Sequence, residues 1–155
     1  MPEPCPRGSA VKVEDGMSVR VLTIGPAHTL REAARMMAAR QVGAAVVANP
    51  DHAGVGILTE RDILMSIAAD ENPDIEAAGD HCTQDLVFAT RHWTMEAAAA
   101  AMVRGGFRHL VVVEGQDVVG LLSMRDIVRC WSAARIPAPA SAPNATQVTQ
   151  VTQTA

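Results

Sequence analysis

Gly56-Ile57-Leu58-Thr59-Glu60-Arg61-Asp62-Ile63 is met again, at an offset of 64 residues, as Gly120-Leu121-Leu122-Ser123-Met124-Arg125-Asp126-Ile127. Both stretches read glycine, two apolar residues, a hydroxyl residue, any residue, then Arg-Asp-Ile. Upstream, Thr29-Leu30-Arg31-Glu32-Ala33-Ala34 falls on Thr94-Met95-Glu96-Ala97-Ala98-Ala99 at an offset of 65. Met37 then falls on Met102, and Ala45-Val46-Val47 on Leu110-Val111-Val112. The one-residue slip lies in a connecting loop. Order, spacing and side-chain chemistry agree over about 40 residues, the mark of an internal duplication.

Each copy predicts the same elements. Val19 to Ile24 alternates into a short strand, as does Leu86 to Ala89. Thr29 is a good helix N-cap, and Glu32 three residues on completes a capping box. Leu30, Ala33, Ala34 and Met37 then form an i, i+3, i+4, i+7 stripe, repeated by Met95, Ala98, Ala99 and Met102. An apolar strand follows, Ala44 to Ala48 or Leu110 to Val113. The turns Asn49-Pro50-Asp51 and Glu114-Gly115-Gln116-Asp117 lead to second strands, Val55 to Leu58 and Val118 to Leu122. A helix closes each copy, Arg61 to Ala68 or Arg125 to Ala134. The unit is β-α-β-β-α, and at about 50 residues it buries too little surface to stand comfortably alone. The expected fold is α+β (α/β-like): two such repeats packed about a pseudo-two-fold axis. The expected divisions are a flexible arm (1–11), a first repeat (12–70), a linker (71–81), a second repeat (82–134) and a disordered tail (135–155), the tail being Pro/Ala-rich and then Thr/Gln/Val-rich.

Composition narrows the function. The chain has 155 residues, of which 48% are hydrophobic but only 3% aromatic, with no Tyr, so the core is built from Val, Ala, Leu, Ile and Met. A net charge of −4 argues against a nucleic-acid-binding domain, whose footprint is a basic stripe. No apolar run approaches the ~18 residues of a membrane span, and the opening MPEPCPRGSA has no apolar signal region. Cys5, Cys82 and Cys130 form neither a disulfide framework nor a CxxC pattern, which reads as a reduced, cytoplasmic protein. His28, His52, His81, His92 and His109 fall mostly in predicted loops. No two lie at i, i+4 on one helix and none pairs with Cys at metal spacing, so no metal site is expected, even at the adjacent His81-Cys82. No Ser-His-Asp or Cys-His set can be assembled, so no catalytic residue is assigned. Cys130 and the methionines read as core filling, Trp93 as a hydrophobic staple beside Thr94, and Trp131 as packing at a domain or dimer surface.

The chemistry sits in the duplicated motif, where a strand ends and a helix begins. Free backbone N–H groups and the positive end of a helix dipole suit a phosphate. A Thr or Ser hydroxyl adds a donor, and an Asp carboxylate can accept from both vicinal hydroxyls of a ribose. Thr59 with Asp62, and Ser123 with Asp126, fit such a ligand. They equally fit helix capping, in which the carboxylate at the third helical position reaches back to the N-cap amide. Capping is worth about 0.5–2 kcal/mol and needs no ligand. The two roles can coexist. Arg61 and Arg125 can reach a phosphate or pair with surface acids.

The tandem unit with G-h-h-T/S-x-x-D resembles a pair of CBS (cystathionine-β-synthase) domains, a Bateman module. Asp15-Gly16-Met17-Ser18 resembles the D-x-M-S lead-in of many first repeats. Pro26-x-x-Thr29-Leu30-x-Glu32-Ala33-Ala34 resembles the first-helix stretch. Gln41-Val42-Gly43-Ala44 and Gly106-Phe107-Arg108-His109-Leu110 resemble the lead into the second strand. The chain departs from the pattern at Val46 and Val111, where many members have Pro, and at Arg91, which stands where the first repeat has Pro26. Neither change threatens the fold.

The resemblance implies regulatory binding of an adenosine-containing ligand (AMP, ADP, ATP, NAD or S-adenosylmethionine) in two crevices, with no cofactor required and no catalysis. Thr59 and Asp62 would serve one crevice, and Ser123 and Asp126 the other. Val21, Val46, Val87 and Val111 would neighbour adenine. Arg108 and His109 match a basic pair used on phosphate, whereas Gly43 and Ala44 hold the equivalent first-repeat positions, so the two crevices should differ. The resemblance further implies a homodimer through helices and an output on an unknown effector protein in trans, without nucleic acid or membrane. The alternative is a dimeric structural or protein-interaction module that binds no ligand.

Overall fold

The computed structural model describes residues 10–49 and 54–135. Pro50 and Asp51 of the first expected turn, most of the N-terminal arm and the tail from 136 lie outside the described residues. The first unit comprises β1 (Thr23–Ile24), α1 (Leu30–Arg40), β2 (Ala44–Ala48), β3 (Val55–Thr59) and α2 (Glu60–Ala68). After a short helix α3 (Ala78–His81), the second comprises β4 (Phe88–Ala89), α4 (Met95–Gly105), β5 (His109–Glu114), β6 (Asp117–Ser123) and α5 (Met124–Arg135). Each unit forms a three-stranded sheet in chain order. Its first pair is parallel across the helix and its second is an antiparallel hairpin. The α+β architecture expected from the duplication is therefore the observed one.

Local chemistry sets the helix limits. Thr29 N–H donates to Glu32 Oε2 at 2.8 Å and Glu32 N–H to Thr29 Oγ1 at 3.2 Å, a reciprocal capping box at the start of α1. Donation from the Thr29 N–H, and next from the Thr29 hydroxyl, holds the Glu32 carboxyl below its ordinary pKa. In α4, Thr94 Oγ1 accepts from Ala97 N–H, but Ala97 has no carboxylate to return the bond. Both helices end in the left-handed region, α1 at Gln41 (φ 55°) and α4 at Gly106 (φ 68°).

The leading strands are shorter than the alternation predicts, because each lead crosses to the other unit before reaching its own sheet. Ser18 bridges Leu121 of β6, and Thr83 bridges Ile57 of β3. Val11 and Val13 are buried in the core of the second unit, with Met17 packed against it. Ala78 is buried in the core of the first, with Cys82 packed against it. Thus Val11, at the end of the expected arm, and α3, inside the expected linker, are structural parts of the units. Trp93 and Trp131 are both partly buried against the second core. Cys130 is fully buried there and disulfide-bonded, which corrects the reading of three reduced thiols. Cys82 is a free thiol.

The crossing leads also explain the motif glycine. A Cβ on Gly56 would stand 2.6 Å from Cys82 Sγ and 3.1 Å from the Thr83 carbonyl oxygen. One on Gly120 would stand 2.6 Å from Met17 Sδ and 3.2 Å from the Ser18 carbonyl oxygen. Between the units, Ala44, Val46, Ile57 and Val111 form a third buried cluster. Alternation along β2 sends Ala45 and Val47 to the unit's own core and Ala44 and Val46 to this shared layer. Among the described residues, no helix is long and apolar enough to cross a membrane.

Candidate functional site

Where the start of α2 meets the lead of the second unit, a cavity of about 180 Å³ opens. Thr59, Glu60, Arg61 and Asp62 form one wall. Thr83, Asp85, Leu86 and Val87 come from the crossing lead, and Gly106, Phe107, Arg108 and His109 from the end of α4 and the start of β5. Ile57 and Val111 of the shared apolar layer complete the lining. The polar side chains are placed at element boundaries, a helix start, a strand lead or a helix end, and the apolar Ile57 and Val111 by strand interiors.

At this wall, Asp62 Oδ2 accepts from Thr59 N–H and from Thr59 Oγ1–H, both at 2.7 Å. That is the capping interaction, and it consumes one carboxylate oxygen. Among the described residues no protein donor reaches Oδ1, which leaves it able to accept from a ligand's hydroxyls. Arg61 lines the cavity and makes no ion pair among the described residues. His109 lies opposite; burial first, and Arg108 second, push its pKa below the ordinary histidine value. Beside it, Glu60, Asp62 and Asp85 share the lining with Arg61 and Arg108, three acidic side chains with two basic ones.

The duplicated site differs. Asp126 Oδ2 accepts from Ser123 N–H at 2.8 Å and from Ser123 Oγ–H at 2.6 Å, and Ser123 Oγ accepts from Asp126 N–H at 3.2 Å. The remaining oxygen, Oδ1, pairs with the Arg129 guanidinium at 2.9 Å. Arg129 also donates to the Gly16 carbonyl. By the repeat offset, Met65 holds the position of Arg129 in the first unit and is exposed. Gly43 and Ala44 hold the positions of Arg108 and His109.

The cavity thus gathers Thr59, Arg61, Asp62, Val87, Arg108 and His109. Ser123, Asp126, Arg125 and Val21 do not line it; Val21 packs against the layer between the units. Sequence reasoning did not single out Glu60, Thr83, Asp85 or Phe107. The signal for Phe107 lay in the quoted Gly106-Phe107-Arg108-His109 lead. Thr83 and Asp85 carried none, because they reach the site only through the crossing of the lead.

Two β-α-β-β-α units, crossed leads and a cleft at a strand-to-helix junction define a duplicated module with a cavity lined by both units. The chain belongs to the CBS domain family, whose profile matches residues 11–69 and 78–132. A 17.7 kDa protein of Acidianus ambivalens is 33% identical over 122 residues, covering 77% of this chain and 73% of that one. The solved CBS-domain containing protein ATU1752 from Agrobacterium tumefaciens is 30% identical, with a TM-score of 0.72 over 80% of this chain and 96% of that one. The CBS domain protein PAE2072 from Pyrobaculum aerophilum, solved complexed with AMP, is 28% identical, with a TM-score of 0.68 over 74% of this chain and 88% of that one. The chain spans 41% of the curated relative MJ1225 of Methanocaldococcus jannaschii and 20% of several from Arabidopsis thaliana.

Proposed function

We propose that the protein is a non-catalytic regulatory module that binds an adenosine-containing ligand in the cleft of Thr59, Asp62, Arg108 and His109. AMP, ADP, ATP, NAD and S-adenosylmethionine form the ligand class. The observation that carries the reading is the convergence, on one cavity, of a half-free carboxylate beside a helix start with a basic pair from the other unit. Asp62 Oδ1 accepts from ribose hydroxyls, Arg108 and Arg61 meet phosphate, and Val87, Ile57 and Val111 offer apolar surface to adenine. The AMP complex of the 28% identical relative supports the same class. Ligand binding biases the packing of the two units and so alters contacts with an effector protein in trans; the bias equals the ligand's difference in affinity between the packings. The exposed apolar Leu64, Met65 and Ile67 on α2 support homodimerisation through the helices.

The test is thermal melting with AMP, ATP, NAD and S-adenosylmethionine. A ligand at 100 times its Kd stabilises by about 2.7 kcal/mol, several degrees for a domain of this size. A melting point unmoved by all four at millimolar concentration overturns the reading. One observation favours the alternative of a dimeric interaction module without ligand: in both units the Asp already serves as a helix cap. That alternative stands if dimerisation persists and no adenosine compound shifts the melting point.

A further inference from the structure

Away from the cleft, three side chains on the segment joining the units converge. Glu71 lies just beyond α2, Glu76 just before α3, and His81 ends α3. Their ligand atoms all lie within 4.8 Å of one another. His81 Nε2 stands 2.8 Å from Glu76 Oε2 and 3.8 Å from Glu71 Oε2. The backbone that carries them is fixed against the start of α1. Leu30 N–H donates to the Glu76 carbonyl, Arg31 N–H to that of Pro73, and Ala78 N–H to that of His28. The same helix end has unfilled polar capacity. Ser66, whose carbonyl accepts from Glu71 N–H, is 3% exposed, and its hydroxyl has no partner among the described residues. The last turn of α2 carries no basic residue to offset its negative dipole end.

We propose that Glu71, Glu76 and His81 bind a divalent transition-metal cation of the Zn²⁺ type, which staples the inter-unit segment. The donor set is one imidazole nitrogen and two carboxylates, all ligand types that zinc accepts, and three is the number of protein ligands in zinc sites that keep a water in the fourth position. Zn–N and Zn–O bonds of about 2.0–2.1 Å in a tetrahedron place neighbouring ligand atoms about 3.4 Å apart. The two separations from Nε2, 2.8 and 3.8 Å, bracket that value, and the two partly exposed carboxylates have room to rotate. A dication also neutralises both carboxylates, which a single imidazole cannot. Mg²⁺ and Ca²⁺, which take oxygen ligands, fit the imidazole poorly. The competing arrangement is a metal-free hydrogen bond between His81 and Glu76.

The experiment uses the full chain without a polyhistidine tag, stripped with chelator and titrated with ZnCl₂. One zinc per chain and a rise of several degrees in Tm at about 100 times Kd are expected. The rise should vanish in His81→Ala and Glu76→Gln and persist in His92→Ala, an exposed histidine elsewhere. No rise with zinc, or an undiminished rise in His81→Ala, overturns the proposal; so does an equal rise with MgCl₂, which would mark a general carboxylate effect. Should His81→Ala fail to fold, Co²⁺ decides on the unmutated chain. Visible absorption of a tetrahedral site, displaced by zinc, supports the assignment, and its absence overturns it.

Discussion

Asp62 and Asp126 are the same residue in two copies of one motif, yet their free valences differ. Both caps use Oδ2. Asp126 then commits Oδ1 to Arg129, while Asp62, which lines the cavity, has no protein donor on Oδ1 among the described residues. Asp62→Asn should therefore weaken an adenosine ligand by the worth of hydrogen bonds to a charged group, about 1.5–3 kcal/mol or roughly tenfold to hundredfold. Asp126→Asn should leave that affinity unchanged and lower stability through the lost cap and ion pair. Calorimetric titration of both variants decides, and equal losses would mean that the two clefts act alike. The Thr/Ser-x-x-Asp pairs were legible in the sequence as either caps or ligand contacts. Which acid is half-free was not legible, because it depends on a single contrast one helical turn on, Met65 against Arg129.

His109 should make stability depend on pH. Its pKa lies below the ordinary value through burial and Arg108, against the opposing pull of Asp126 and Glu60; Arg125 lowers it further. The unfolded chain thus takes up a proton before the folded one does. Stability tied to His109 is present above the unfolded pKa of about 6.5 and is lost as pH falls toward the depressed folded value. Urea unfolding from about pH 8 to about pH 5 should show this slope in the native chain and a shallower one in His109→Gln. Identical slopes would place the imidazole outside the effect. A phosphate-bearing ligand favours the imidazolium, so its affinity should rise as pH falls over the same window.

Among the elements, the helices were the most legible, because a capping box and a 3.6-residue stripe are local signals. The leading strands were not. Val19 to Ile24 alternates, yet only Thr23–Ile24 pairs in its own sheet, since Ser18 belongs to Leu121 in the other unit. Alternation reports an extended chain and not its partner. The motif glycines record that crossing. Gly56→Ala sets a methyl against the Thr83 carbonyl oxygen, part of a bridged backbone that has little room to retreat. Overpacking of this kind costs about 1–3 kcal/mol. Denaturant midpoints for Gly56→Ala and Gly120→Ala should both fall by that order. An unchanged midpoint would show that the leads can give way.

At the scale of the molecule, duplication suggests two domains, but the cores are exchanged. The second core contains Val11 and Val13 from the start of the chain, and the first contains Ala78 from beyond α2. A cut between the repeats therefore strips each half of its own covering. The first half keeps Val11 and Val13 with nothing to bury them and loses Ala78; the second half loses both valines. The layer of Ala44, Val46, Ile57 and Val111 is divided as well. A burial deficit on this scale exceeds what a unit of about 50 residues can lose. The full chain should melt in one cooperative transition, with calorimetric and van't Hoff enthalpies equal. Fragments 10–70 and 71–135 should each lack cooperative melting alone and recover it when mixed. Two separate transitions in the full chain, or a folded 10–70 fragment, would mean that the crossed leads are decoration on two self-sufficient domains. The cleft, whose walls come from both units, would then not be fixed by folding.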